Sequence, residues 1–356
     1  MNKLKRLFSN YVFNIALVIG LSALIVYLTV RDNPAEVFDR LKQADRFWLL
    51  LIMAAMILFR VLNGYALKLE TNLSRPEYTL RKGIENAFVG GFFNQITPSS
   101  SGGQFAQVFL FRRQGVPVSE SAGVLWMNFI LFQSTLVASV FVLLLFKFRY
   151  FYTKFNQFLV IVLLGFLVNA AVIVSLWAFV KFPRIYTWLT TTGIELGAKL
   201  HLVKDREKVL SGLDEQLRRF QKEVDQLSNH KPMVAKVCLT HFVRLILFYS
   251  VPYMSAKALR LPVTPSMFPD MLTLASFVAM VNAFIPLPGA SGGTEATFLL
   301  MFRVVLGSVN VRPTMLLWRF MTYYFDMIAG GVVYLISKVR RTAALDHAFA
   351  PEKEKR

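Results

Sequence analysis

Long apolar runs separated by short basic segments set the pattern of this chain. Runs near 11–30, 47–67, 120–146, 158–180, 233–256 and 313–337 are nearly free of charge, and each is long enough to carry a helix across about 30 Å of hydrocarbon. They predict six full spans. Between the second and third, and again between the fifth and sixth, lie apolar segments at about 83–111 and 266–305, broken at their centres by TPSSSGG and PLPGASGG. Residues 84–97 would rise only about 21 Å as a helix, too little to cross alone. A re-entrant hairpin that dips in and returns to its own side fits both the length and the break. The expected fold is an all-α polytopic membrane protein: about six full spans plus two re-entrant broken-helix hairpins in inverted repeat.

The two breaks are related in sequence. At a constant offset of 190, Pro98, Ser101, Gly102, Gly103, Ala106, Leu110 and Arg113 match Pro288, Ser291, Gly292, Gly293, Ala296, Leu300 and Arg303. The repeats would run from about 47 to 146 and from 233 to 337. Basic residues give the orientation: with the N-terminus cytoplasmic, the cytoplasmic segments hold 26 of the 40 Lys and Arg and the external ones 11, as the positive-inside rule requires. Both termini are then inside, and the hairpins enter from opposite faces. Residues 1–340 form a single transmembrane domain and 341–356 a cytoplasmic tail. The cytoplasmic connection, about 183–232, carries Leu210, Leu213, Leu217, Phe220, Val224 and Leu227 at helical spacing. It is an amphipathic helix that rests on the membrane, joins two copies in a homodimer, or packs on the protein's own cytoplasmic side.

Composition agrees: 55% of residues are hydrophobic and 17% charged. A net charge of +19 would point to nucleic acid in a soluble protein, but here the charges mark loops and no nucleic-acid partner is expected. One cysteine, Cys238, and four histidines leave no basis for a disulfide or a metal site. No ATP-binding glycine loop is present and no cofactor is expected. The basic N-terminus before 11–30 resembles a signal peptide, but the run is too long and ends in RDNP without a small-residue cleavage site. It reads as a retained span.

A helix N-terminus presents unpaired N–H groups and favours anions. In each hairpin the second half starts at Ser-Gly-Gly, with Ser99, Ser100, Ser101 and Ser291 as candidate caps. Two such ends meeting from opposite leaflets would form an anion-favouring site in mid-membrane; the alternative is a turn that closes a hairpin and binds nothing. Asn94, Gln95, Gln104 and Gln107 line the first break and Asn282 precedes the second. Glu295 falls in the first turn of the returning helix. Arg60, Arg244 and Arg319 sit inside spans, where a charge needs a partner or a function. Asp326 lies seven residues after Arg319 on the same face, so a structural Arg–Asp pair competes with a substrate role. Arg113 and Arg303 are expected to anchor at the interface.

PLPGASGGTEATFLL, TPSSSGGQFAQVFLFRR and WRFMTYYFDMIAGG together resemble the lysylphosphatidylglycerol synthase transmembrane-region family, the flippase half of the multiple peptide resistance factor and its stand-alone relatives. The resemblance covers roughly 10–340. It implies a bacterial inner-membrane protein that moves, or helps to make, aminoacylated phosphatidylglycerol, lowering surface charge and so giving resistance to cationic antimicrobial peptides. Its partners would be an anionic or aminoacylated phospholipid and a separate transferase, since the residues after Ile336 are too few for a catalytic domain. On the motif residues, the lipid phosphate would lie near Ser101, Gly102, Gly103, Ser291, Gly292 and Gly293. Glu295 and Arg319 would be polar partners and Tyr323 and Tyr324 a wall. Gly289-Ala290-Ser291-Gly292-Gly293 departs from the family's usual Pro-Gly-Gly-x-Gly form. Two other functions remain open: a membrane subunit or enzyme of lysylphosphatidylglycerol or polyprenyl-linked sugar synthesis, and a small-anion transporter.

Overall fold

The computed structural model describes Gly20, Tyr27 and residues 34–97, 101–154, 156–181, 206–282 and 288–348. The expected span at 11–30 lies outside the continuously described segments, as do Pro98, Ser99 and Ser100 of the first break. Among the described residues every regular element is helical: α1 (Pro34–Lys42), α2 (Arg46–Thr71), α3 (Leu80–Ile96), α4 (Gly102–Arg113), α5 (Val118–Lys154), α6 (Asn156–Lys181), α7 (Arg206–Asn229), α8 (Lys231–Ala258), α9 (Phe268–Asn282), α10 (Gly293–Arg319) and α11 (Phe325–Ala348).

Four stretches are long and apolar enough to cross a membrane: α2, residues 118–147 of α5, α8, and the run from Gly293 to Val339; a shorter apolar stretch, Leu163–Ala178, lies in α6. Large apolar side chains stand exposed along them, among them Phe47, Leu50, Phe146, Leu239, Val332 and Leu335. In water this belt would be a liability; against lipid tails it is the required surface.

The broken segments fold as paired half-helices. α3 packs on α4 and α9 on α10. The base of the first pair is tied by exchange between Lys82 and Gln114: Lys82 Nζ donates to the Gln114 carbonyl at 3.2 Å and Gln114 Nε2 to the Lys82 carbonyl at 3.1 Å. Its two ends therefore lie together. Small residues bring the backbones close: a Cβ on Gly64 of α2 would meet the Ile84 backbone of α3, and one on Gly330 of α11 the Phe88 carbonyl.

The second pair differs from the sequence expectation at its far end. Residues 303–312, expected as an external loop, are helical except at Gly307 (φ 77°, ψ 168°). One residue in a conformation open to glycine bends the chain where a loop was anticipated. The returning half-helix and the last span are thus a bent continuous run, interrupted again by the π-turn Phe320–Tyr324.

Of the three positions open to the amphipathic helix, it takes the third. Phe220, Val224 and Leu227 pack into a core with Val124, Met127 and Val237, and the Trp126 and Phe220 rings meet edge to face at 6.0 Å. Both oxygens of Glu223 accept from Ser74 (2.7 and 2.8 Å), and burial pushes this carboxyl above its ordinary range.

Candidate functional site

At the first break α3 ends at Ile96 and Thr97 turns extended. The amides opening α4 are held by side chains from the preceding helix. Gly102 N donates to Thr97 Oγ1 at 2.9 Å and Gly103 N to Asn94 Oδ1 at 3.0 Å. Ser101, expected as the cap, makes no side-chain capping bond, because its backbone is already helical (φ −79°, ψ −25°) and a capping side chain needs the extended conformation. Gly103 fits only as glycine, since a Cβ would strike Asn94 and the Gly90 carbonyl. Gln107 is buried behind it, and its carbonyl accepts from Asn86. Gln104, expected to line the break, is exposed.

The second break is built on left-handed backbone: Gly289, Ala290 and Gly292 have φ of 58°, 51° and 92°. Glu295 reaches back from the first turn of α10 and accepts from Gly292 N at 2.6 Å. Its other oxygen lies 2.6 Å from Arg319 Nε, out of line with the N–H, so the contact is an ion pair without a well-directed hydrogen bond. Arg319 Nη2 also donates to the Gly289 carbonyl (2.7 Å) and to Ser291 Oγ (3.1 Å), and the guanidinium stacks on Tyr323 at 4.2 Å. Thr294 Oγ1 sits within hydrogen-bond distance of Asn282 Oδ1 and the Ala290 carbonyl, joining the turn to the end of α9.

These two breaks touch. α3 packs on the Pro288–Ala290 turn, and Tyr323 Oη donates to the Gln95 carbonyl at 2.9 Å, satisfying one of the acceptors that a helix end leaves over. Gln95 Nε2 donates to Asp326 Oδ2 at 3.2 Å. Asp326 forms a two-pronged pair with Arg60, whose Nε lies 2.6 Å from Oδ1 and whose Nη2 meets Oδ2. Gly91 leaves room for the Arg60 guanidinium. A buried polar chain thus runs from Arg60 through Asp326, Gln95, Tyr323 and Arg319 to Glu295.

Several expectations are met and others corrected. Arg60, Asp326, Glu295, Ser291, Arg319 and Tyr323 converge, but Arg319 and Asp326 are not partners of each other. The π-turn between them inserts one residue and rotates the two side chains apart by about 100°, so each finds a partner on another segment. Tyr324 is not in the chain; its ring packs edge to face on Tyr323 at 5.0 Å. Arg244 lies apart, bonded to Phe59 and His241. The amides of Gly102, Gly103 and Gly292, expected to be unpaired, donate to protein acceptors.

A groove of about 1470 Å³ opens between α3, α4 and α11. Arg81, Lys82, Arg113 and Lys338 border it with Glu85 and Ser337, Thr97 and Gly102 lie at the hairpin tip, and Phe93, Phe105, Phe109, Leu110 and Tyr334 form apolar walls. Helix α3 makes it about 24 Å long. Glu85 bonds to Ser337, closing α3 onto α11. The last helix's share of this groove was missed in the sequence; the Gly330-Gly331 pair, which marks a close approach, was the available signal.

The comparisons fit this architecture. A family model described as the lysylphosphatidylglycerol synthase transmembrane region matches residues 14–330. A UPF0104 membrane protein of Archaeoglobus fulgidus is 23% identical over 336 residues, covering 88% of this chain and 93% of the relative. No solved structure matches. With apolar helices of spanning length and a family match over most of its residues, the chain is a membrane protein and belongs to the lysylphosphatidylglycerol synthase transmembrane-region family.

Proposed function

We propose that the protein carries a phospholipid between the two leaflets, with anionic or aminoacylated phosphatidylglycerol as its substrate class. The groove carries this reading: basic side chains at its mouth for a phosphate, apolar walls for acyl chains, and a broken helix at its inner end where a headgroup can pass. In this reading α3–α4 and α9–α10 are re-entrant hairpins entering from opposite faces, and the excess of Lys and Arg places the termini and the groove mouth in the cytoplasm. Because the break amides are already engaged, the headgroup is held first by Arg81, Lys82, Arg113 and Lys338, then by polar groups at Thr97 and Ser101. The pairs Arg60–Asp326 and Arg319–Glu295 keep the two hairpin tips together at the crossing point. A lipid with its chains left in the bilayer needs only this polar lane for its headgroup. Glu295 is engaged by Gly292 and Arg319, an arrangement that suits a structural clamp better than a general base and disfavours the enzyme reading.

The test is reconstitution into vesicles with labelled phosphatidylglycerol, its lysyl ester and phosphatidylcholine. The first two are expected to equilibrate faster than in protein-free vesicles. Equal rates with and without protein for every headgroup would remove the proposal.

A further inference from the structure

On the far side of Arg60 from the hairpin contact is a second buried polar group. Arg60 and Arg244 both lie over the Phe59 ring, at 5.5 and 4.5 Å. Arg244 also lies over Phe132 at 5.2 Å, donates from Nε to the Phe59 carbonyl at 3.2 Å, and meets His241 Nδ1 through Nη1 at 2.8 Å. An arginine can only donate, so Nδ1 is the acceptor and the neutral ring of His241 carries its proton on Nε2.

Among the described residues no carboxylate lies within ion-pair distance of Arg244; the carboxylate that compensates it electrostatically is Glu70. Glu70 is fully buried, two residues from the end of α2. Its Oε2 accepts from Asn128 Nδ2 at 2.8 Å. The groups facing it are Asn128 from α5 and Arg244 and Cys238 from α8. Asn128 also links the two titratable groups, because its main-chain carbonyl interacts with His241.

Two side-chain atoms of this cell have no hydrogen-bond partner: Glu70 Oε1, an acceptor, and His241 Nε2, a donor in the tautomer just derived. A purely structural polar core satisfies its buried atoms. Here the two left open belong to the two groups that can titrate.

We propose that Glu70 is a proton-binding site whose occupancy is linked, through Arg244, to binding of an anionic headgroup. Ionised, Glu70 balances Arg244. When Oε1 takes up a proton from water, no other bond breaks, Arg244 loses its compensation, and the positive charge becomes available to a phosphate approaching from the hairpin tips. By reciprocity a bound anion favours the protonated acid, so proton and anion travel together. The coupling half rests on the lipid-transport reading; the proton-binding half does not.

Two arms separate them. Infrared titration of the purified full chain in lipid is expected to show a protonated-carboxyl band that grows on acidification and is missing in Glu70→Gln. Glu70→Asp, which keeps the acid, shifts the band instead of abolishing it and serves if the amide variant does not insert. Absence of any band assignable to Glu70 overturns the site whatever the lipid does. In vesicles with labelled phosphatidylglycerol, reversing a gradient of about one pH unit is expected to change wild-type translocation severalfold, up to the tenfold that one proton per lipid allows. Glu70→Gln should move lipid at one rate in both directions. A gradient response that persists in Glu70→Gln overturns the coupling. If wild type moves no lipid at all, the transport reading and the coupling fall together, while the infrared arm still decides the proton site.

Discussion

The two helix breaks share a sequence pattern and differ in how their amides are held. At the first, neutral side chains from the incoming half-helix, Asn94 and Thr97, cap Gly103 and Gly102. At the second, a carboxylate from the outgoing half-helix caps Gly292 and is itself paired with Arg319 of the same bent run. A neutral cap ties the break to its own hairpin. The charged cap ties it to the segment after the hairpin, and through Tyr323 and Gln95 to the other hairpin. The repeat has thus diverged into a tip that borders the groove and a tip that holds the centre together.

The strongest way to break this contrast is at the pair joining the hairpins. Asp326→Ala leaves Arg60 buried without its carboxylate, a change expected to cost about 3–5 kcal/mol, read as a lower thermal midpoint in detergent. Replacing both partners, Arg60→Met with Asp326→Leu, should recover most of it. If the single variant melts like wild type, the pair is not what holds the tips. Next in size is the difference between the caps. Glu295→Gln keeps an acceptor for Gly292 N but leaves Arg319 without a counter-charge, and Arg319→Ala removes the clamp; each should reduce lipid translocation about tenfold or more, the equivalent of about 1.4 kcal/mol. Asn94→Ala loses one neutral hydrogen bond, worth about 1 kcal/mol, and should reduce it less. Equal losses in Glu295→Gln and Asn94→Ala would erase the distinction drawn here.

Ala290→Gly sharpens it in the other direction. Ala290 holds φ 51°, a conformation costing a side-chain-bearing residue about 1 kcal/mol. Glycine should therefore stabilise the second break by about that amount, less its own backbone entropy, as a raised midpoint. Smallest of all, Arg113→Lys should change neither midpoint nor transport measurably, because Arg113 is exposed and stacks on its neighbour Phe109 at 3.6 Å.

Much of the site was legible in the sequence because charge inside an apolar run is conspicuous. Glu295, Arg319, Asp326 and Arg60 all stood out, and the positions of both breaks followed from Pro, Ser and Gly at the centres of segments too short to span in halves. The pairing was not legible. A seven-residue spacing puts Arg319 and Asp326 on one face only if the helix between them is regular, and nothing in FMTYY announces a π-turn. The partner of Asp326 is 266 residues away in Arg60, a relation no periodicity carries. The caps of the first break were sought among the serines because capping residues usually sit at the helix start; they came from the helix before. Gly307 shows the same limit, since one glycine in a helical run predicts a bend only when tertiary packing uses it.

The central claim is that two hairpins enter the membrane from opposite faces and meet inside it. Single cysteines at Arg81 and Arg112, flanking the first hairpin, and at Ser266 and Ser308, flanking the second, are all at exposed positions and can be introduced with Cys238→Ser. With a membrane-impermeant maleimide on sealed, oriented vesicles, Arg81→Cys and Arg112→Cys should react from one side only, and Ser266→Cys and Ser308→Cys only from the other. If the members of either pair react from opposite sides, that segment crosses the membrane and does not return; if all four react from one side, the hairpins are not inverted. Either result contradicts the account.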